Sequence, residues 1–200
     1  MPKIVLTCLF FILLTKNIIA RPVSYPGGIT FMQMNDTNKN SIHLHYSLNS
    51  KVSFGYRFEY LRENEFSINA LQMNNLVKRW NKKNSQANLY LKSAIGSAVS
   101  DKERFKKKNN FSGFIGLSSD WENRRYFIQY ENRYTEAGKI HNFFQQSIRF
   151  GLAPYIGEYG DIHTWLMIRL EHITKSNENF NFTPHIRFFK DVHLLEIGAN

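Results

Sequence analysis

The residues best suited to chemistry begin with His43-Leu44-His45. On a strand, residues i and i+2 share a face, and two imidazoles at that spacing can chelate a divalent ion. A third ligand has to come from a neighbouring strand; Glu59 is one candidate, and His163, His172, His185 and His193 are others. The plainer reading makes both histidines ordinary lining of a polar interior. His45 and Ser47 also share a face and, with an acid such as Glu59, have the residue types of a lipid-A-modifying barrel hydrolase. No nucleophile elbow or other local signature accompanies them. Arg57 with Glu59, and Arg169 with Glu171, repeat the i, i+2 spacing with opposite charges, which suits a wet or salt-bridged lumen. Lys102, Arg104, Lys106, Lys107 and Lys108 crowd a short span, where cationic side chains could grip lipopolysaccharide phosphate or simply keep a loop solvated.

Nothing points to a nucleotide or another cofactor. Gly27-Gly28 lacks phosphate-loop spacing, and Gly113 with Gly116 falls in a strand. The expectation is a protein without cofactor and without enzymatic activity, in which His43, His45, Arg57, Glu59, Arg169 and Glu171 face a lumen.

The elements that must position these residues are strands. Ile42, Leu44, Tyr46 and Leu48 alternate with His43, His45 and Ser47, and Val52, Phe54, Tyr56, Phe58 and Tyr60 alternate with Ser53, Gly55, Arg57 and Glu59. Asn49-Ser50 reads as the tight turn between them. Period-two patterning recurs over Ala87 to Ile95, Phe111 to Ser118, Arg124 to Tyr134, Phe143 to Ala153, His163 to Ile173, Asn179 to Phe189 and Val192 to Ala199. Ile29 to Met34 makes a first short strand. Phe66 to Trp80 is mixed, either one long strand or a strand ending in a helical turn. Ser100 to Asn110 is too polar to be buried and reads as a long loop.

The first twenty residues place Lys3 before the apolar run Ile4 to Leu14, then a polar step and Ala20. That is the order of a secretory signal, with cleavage expected between Ala20 and Arg21, leaving residues 21–200 as one domain. Cleavage would remove the single cysteine, Cys8, and Lys3 and Lys16, but none of the 16 acidic residues, so the mature chain stays basic. Outside the cytoplasm a basic surface favours anionic lipid over nucleic acid.

No later apolar run approaches a membrane helix, so any insertion must use strands. Phe, Tyr and Trp make up 15% of the chain, an excess that leans toward strands and membrane interfaces. Tyr46, Tyr56, Tyr60, Trp80, Trp121, Tyr126, Tyr134 and Trp165 gather near the expected strand ends, as in interfacial girdles. The fold expected is an all-β, antiparallel up-and-down transmembrane β-barrel of about 10–12 strands. The function expected is a non-enzymatic narrow pore or a structural or binding barrel; a lipid-A-active barrel enzyme or a soluble periplasmic lipocalin-like carrier is the alternative.

Arg21-Pro22-Val23-Ser24-Tyr25-Pro26-Gly27-Gly28, Leu76-Val77-Lys78-Arg79-Trp80-Asn81, Ser85-Gln86-Ala87-Asn88 and Ala153 through Trp165 together resemble a family of uncharacterised proteobacterial outer-membrane β-barrel proteins. The resemblance spans nearly all of the mature chain. It implies a Gram-negative outer membrane, with lipid, lipopolysaccharide and the barrel-assembly machinery as partners, and brings no catalytic residues. Family members continue past the point matching Leu194-Leu195-Glu196-Ile197-Gly198 into a further strand that serves assembly. The resemblance therefore implies that this chain stops short of its closing strand.

Overall fold

The computed structural model describes residues 22–105, 109–158 and 160–199. The expected signal segment with Cys8, and Lys106, Lys107 and Lys108, lie outside these residues. The chain forms β1 (Ile29–Asn35), β2 (Lys39–Ser47), β3 (Val52–Leu61), β4 (Phe66–Lys82), β5 (Ser85–Ser100), β6 (Asn110–Asn123), β7 (Tyr126–Glu136), β8 (Asn142–Leu152), β9 (His163–Ile173), β10 (Phe180–Lys190) and β11 (His193–Gly198). Each strand pairs antiparallel with the next, in sequence order, giving an up-and-down half-barrel with almost no helix. Eleven strands fall within the expected range. Closure does not: among the described residues β1 and β11 are the two edges, and neither pairs with the other.

Short polar side chains set the turns. Asn49 Oδ1 accepts the backbone N–H groups of Lys51 (2.8 Å) and Val52 (2.9 Å), and Asn123 repeats the device toward Arg125 and Tyr126, both at 2.7 Å. Asp36 does the same between β1 and β2, holding Asn38 and Lys39. Gly138 turns the chain between β7 and β8 with φ of +59°, where a side chain would be strained.

Alternation then sorts side chains between two faces. Phe31, Leu44, Tyr56, Leu71 and Ile95 stand side by side in register on the outer face of β1 to β5, all exposed, Leu71 at 67%. The neighbouring inward row contains Met32, His43, Arg57 and Ala70, and Arg57 is buried. Polar groups on the outer face find partners among themselves: the Tyr56 hydroxyl donates to Asn69 at 2.6 Å and the Tyr130 hydroxyl to Gln146 at 3.1 Å.

The two ends differ. At the end carrying the β3–β4 and β7–β8 turns, Phe66, Ile68, Ala98, Phe114, Ile140 and Phe143 form a buried apolar cluster, with Phe105 packed against it. At the other end residues 22–28 fold back over the interior, where Val23 packs on Leu76 and Tyr90. The Pro22 carbonyl accepts hydrogen bonds from Ser53 Oγ (2.6 Å) and Asn74 Nδ2 (3.3 Å).

One open alternative is decided and one expectation changes. Of the two readings of Phe66 to Trp80, the single long strand is the one formed, and its patterning is mixed because a bulge between Leu76 and Lys78 leaves Val77 unpaired and shifts the register. Trp165 is not part of an outward girdle: it lies on the inward-facing register of β9, and its ring meets Phe127 edge-on at 6.4 Å. Tyr46, Tyr56, Trp80, Trp121, Tyr126 and Tyr134 are exposed on the outer face, Tyr56 in mid-strand and the others toward strand ends.

Candidate functional site: the charged interior

Inside the curled sheet, Glu59 of β3 is fully buried and meets two guanidinium groups. Arg57, on the same strand, donates to Glu59 Oε1, and Arg133 of β7 donates to Oε2 at 2.9 Å, linking strands four apart. Both guanidinium groups also lie over the Phe114 ring, at 5.2 and 5.0 Å from its centroid, so an aromatic face shares their charge. A carboxylate holding two arginines across a lumen is a strut between walls, and its oxygens are already committed.

Amides extend the strut in both directions. Arg57 donates to Gln72 (3.1 Å), Gln72 to Asn74 (2.6 Å), and Asn74 to Ser53 (3.0 Å) and the Pro22 carbonyl. On the other side Arg133 donates to Gln145 (3.1 Å), which donates to Glu171 (2.6 Å). A continuous chain of side chains thus runs from the N-terminal segment through β4, β3, β7 and β8 to β9. Such networks hold a unique arrangement only when nearly every member is satisfied.

Further ion pairs fill the rest of the interior. Lys92 meets Glu131 at 2.9 Å; Arg187 and Arg149 converge on Glu196 at 2.7 and 3.7 Å; Arg169 reaches Asp36 at 3.5 Å. Lys92, Glu131, Arg133, Arg149, Arg187 and Glu196 are members that reading the sequence missed. Their signal was present, since each occupies the inward register of its strand: Glu131 and Arg133 even repeat the i, i+2 spacing of opposite charges, whereas Lys92, Arg149, Arg187 and Glu196 stand without such a neighbour on their own strands.

Of the residues expected to face a lumen, His43, His45, Arg57, Glu59, Arg169 and Glu171 all lie on the inward register, and five of the six are buried, His43 being partly so. They do not form one site. Arg169 turns toward β1, whereas His45 contacts Asn74 through Nδ1 at 3.4 Å. Ser47 is hydrogen-bonded to Ser24 and not to His45: its Oγ lies 3.0 Å from the Ser24 Oγ and accepts the Ser24 N–H at 2.9 Å. No group of three His, Cys, Asp or Glu among the described residues could hold a metal ion. Lys102 and Arg104 lie between β5 and β6, where a short 3-10 turn, Glu103–Phe105, packs Phe105 against the apolar cluster.

No family model, curated protein or solved structure matches this chain.

Proposed function

We propose that this chain is an outer-membrane β-barrel protein of a Gram-negative bacterium, acting as a structural or ligand-binding barrel with a filled interior. The observation that carries this reading is the inverted placement of polarity. Large apolar side chains such as Leu71, Ile95, Ile115 and Phe182 are exposed along the strands, while Arg57, Glu59, Arg133, Arg169 and Glu171 are buried. In water that outer face would be a large uncovered apolar surface, and lipid is the surrounding that stabilises it. A lipocalin-like carrier calls for the opposite arrangement, an apolar cavity inside. Lipid and the assembly machinery are the expected partners, and Lys102 and Arg104, with Lys106, Lys107 and Lys108, are the candidates for lipopolysaccharide phosphate. Because lipid tolerates no unpaired strand edge, the reading requires the free edges of β1 and β11 to be hydrogen-bonded in the membrane.

The interior argues for a binding or structural role over conduction. Struts such as Glu59–Arg133 cross it, an apolar cluster occupies one end, and residues 22–28 cover part of the other. The test is fractionation of cells expressing the chain, with the outer-membrane fraction run on SDS gels boiled and unboiled. Outer-membrane recovery with heat-dependent mobility is expected, and planar bilayers should show no steady conductance. Recovery in the soluble periplasm would overturn the membrane reading, and stable single-channel currents sensitive to charge reversal at Arg57 would restore an open pore.

A further inference from the structure

We propose that Met32, His43 and His45 form a binding site for a soft monovalent metal ion, Cu(I) or its redox-inert analogue Ag(I), on the interior wall built by β1 and β2. The register supplies the site. Met32 of β1 is directly opposite His43 of β2, and Thr30 is opposite His45, so Met32 and both histidines occupy adjacent inward positions. Directly opposed side chains on one sheet face have Cβ atoms about 4.5–5.5 Å apart, and diagonal pairs remain within reach of a long side chain. That the even-numbered side chains of β1 turn inward is independently visible at Met34, whose sulfur lies 3.9 Å from Arg169 in the lumen.

The second observation concerns the imidazoles. Nε2 of His43 and Nε2 of His45 are both buried and have no hydrogen-bond partner. Other buried atoms, Arg57 Nε and His185 Nε2 among them, also lack partners; here the unpaired nitrogens belong to two adjacent imidazoles beside a thioether, an arrangement a ligand would explain. The rings stand edge to face with centroids 5.9 Å apart. A thioether with two neutral imidazoles is the donor set that soft d10 monovalent ions prefer. Charge selects against a divalent ion: Arg57 is directly opposite His43, and the single Glu59 carboxylate already serves both Arg57 and Arg133. A second unit of positive charge on the metal would roughly double that repulsion.

Binding through His45 Nε2 requires its proton on Nδ1. The only partner this gives up is the long 3.4 Å contact with Asn74 Nδ2, and Asn74 keeps its bonds with Gln72, Ser53 and the Pro22 carbonyl. No proton is gained or lost overall, since the tautomer shift moves it from Nε2 to Nδ1.

The site does not depend on the membrane reading and is tested apart from it. The full chain, folded in detergent, would be titrated anaerobically with Cu(I), and separately with Ag(I), against a competing chelator, and the copper complex examined by X-ray absorption. One ion per chain is expected, with nitrogen and sulfur neighbours at copper. Met32→Leu, a volume-conserving change, should remove the sulfur signal and weaken binding by at least the roughly 10-fold that losing even an outer-shell partner costs. His43→Gln with His45→Gln should abolish binding. Failure of the folded chain to retain either ion, copper without a sulfur neighbour, or undiminished binding in the double variant would overturn the site. Zn(II) bound as tightly as Ag(I) would overturn its assignment to monovalent ions.

Discussion

The two faces of β3 are built by the same ten residues and obey opposite rules. Outward, Phe54 and Tyr56 are exposed and apolar or amphipathic; inward, Ser53, Arg57 and Glu59 are buried and polar. If the outer face meets lipid as proposed, its side chains need only be compatible with an apolar surrounding, and neighbours are nearly interchangeable. On the inner face each charge depends on a particular partner. Stability should therefore be sensitive to chemistry inside and to surrounding medium outside, and substitutions on the two faces should separate these dependences.

The largest effect is expected inside. Glu59→Ala would leave Arg57 and Arg133 buried without their shared carboxylate, and breaking a buried pair by removing one partner costs about 3–5 kcal/mol. Urea titration of the folded protein in detergent should show a correspondingly lower midpoint, with loss of the fast-migrating folded band on unboiled gels. A shift below about 1 kcal/mol, the range of surface pairs, would mean that the strut is solvated and the interior open to water.

Outside, Leu71→Arg sharpens the contrast because the result depends on the medium. Leu71 is 67% exposed on the outer face, so in water its replacement should be nearly neutral. In a bilayer, an arginine at mid-depth on the lipid face costs about 2–4 kcal/mol, falling to about 0–1 near the interfaces. Unfolding measured in lipid vesicles would distinguish the two cases, and indifference there would show that this face does not contact acyl chains.

Between the faces lies the backbone. A Cβ at Gly55 would overlap the Leu44 carbonyl oxygen and the ring of His45. Gly55→Ala should thus force β2 and β3 apart locally, destabilising by about 1–3 kcal/mol as overpacking does, with the urea midpoint as the readout.

Most of the strand pattern was legible because alternation is a local signal. His163 to Ile173 coincides with β9, and Asn49-Ser50 turns where its side-chain oxygen can cap two N–H groups. Phe66 to Trp80 was ambiguous because one extra residue at Val77 inverts the parity on either side of it. The inward facing of Arg57 and Glu59 followed from parity too, but their link to Arg133 did not. Partners 74 residues apart are set by how the sheet curls, which no local pattern encodes. Trp165 shows the converse error: residue type suggested an interface, whereas its parity, shared with Met167 and Arg169, placed it inside.

The smallest expected effect lies in the β7–β8 turn, at the apolar end. His141 stacks on Phe143 at 5.6 Å and meets Phe66 edge-on at 6.1 Å. Burial there, reinforced by the positive charge of Lys175, lowers its pKa from the ordinary 6.5. The unfolded chain then takes up the proton at a higher pH than the folded one does. Stability is thus fully present above the unfolded value and declines as pH falls from there toward the lowered folded value. His141→Phe keeps the aromatic packing and removes the proton site, so its urea midpoint should vary less between pH 7 and pH 5 than that of the parent chain. Equal slopes for the two proteins would show that the ring titrates as freely when folded as when unfolded, and that the apolar cluster at this end does not shield it.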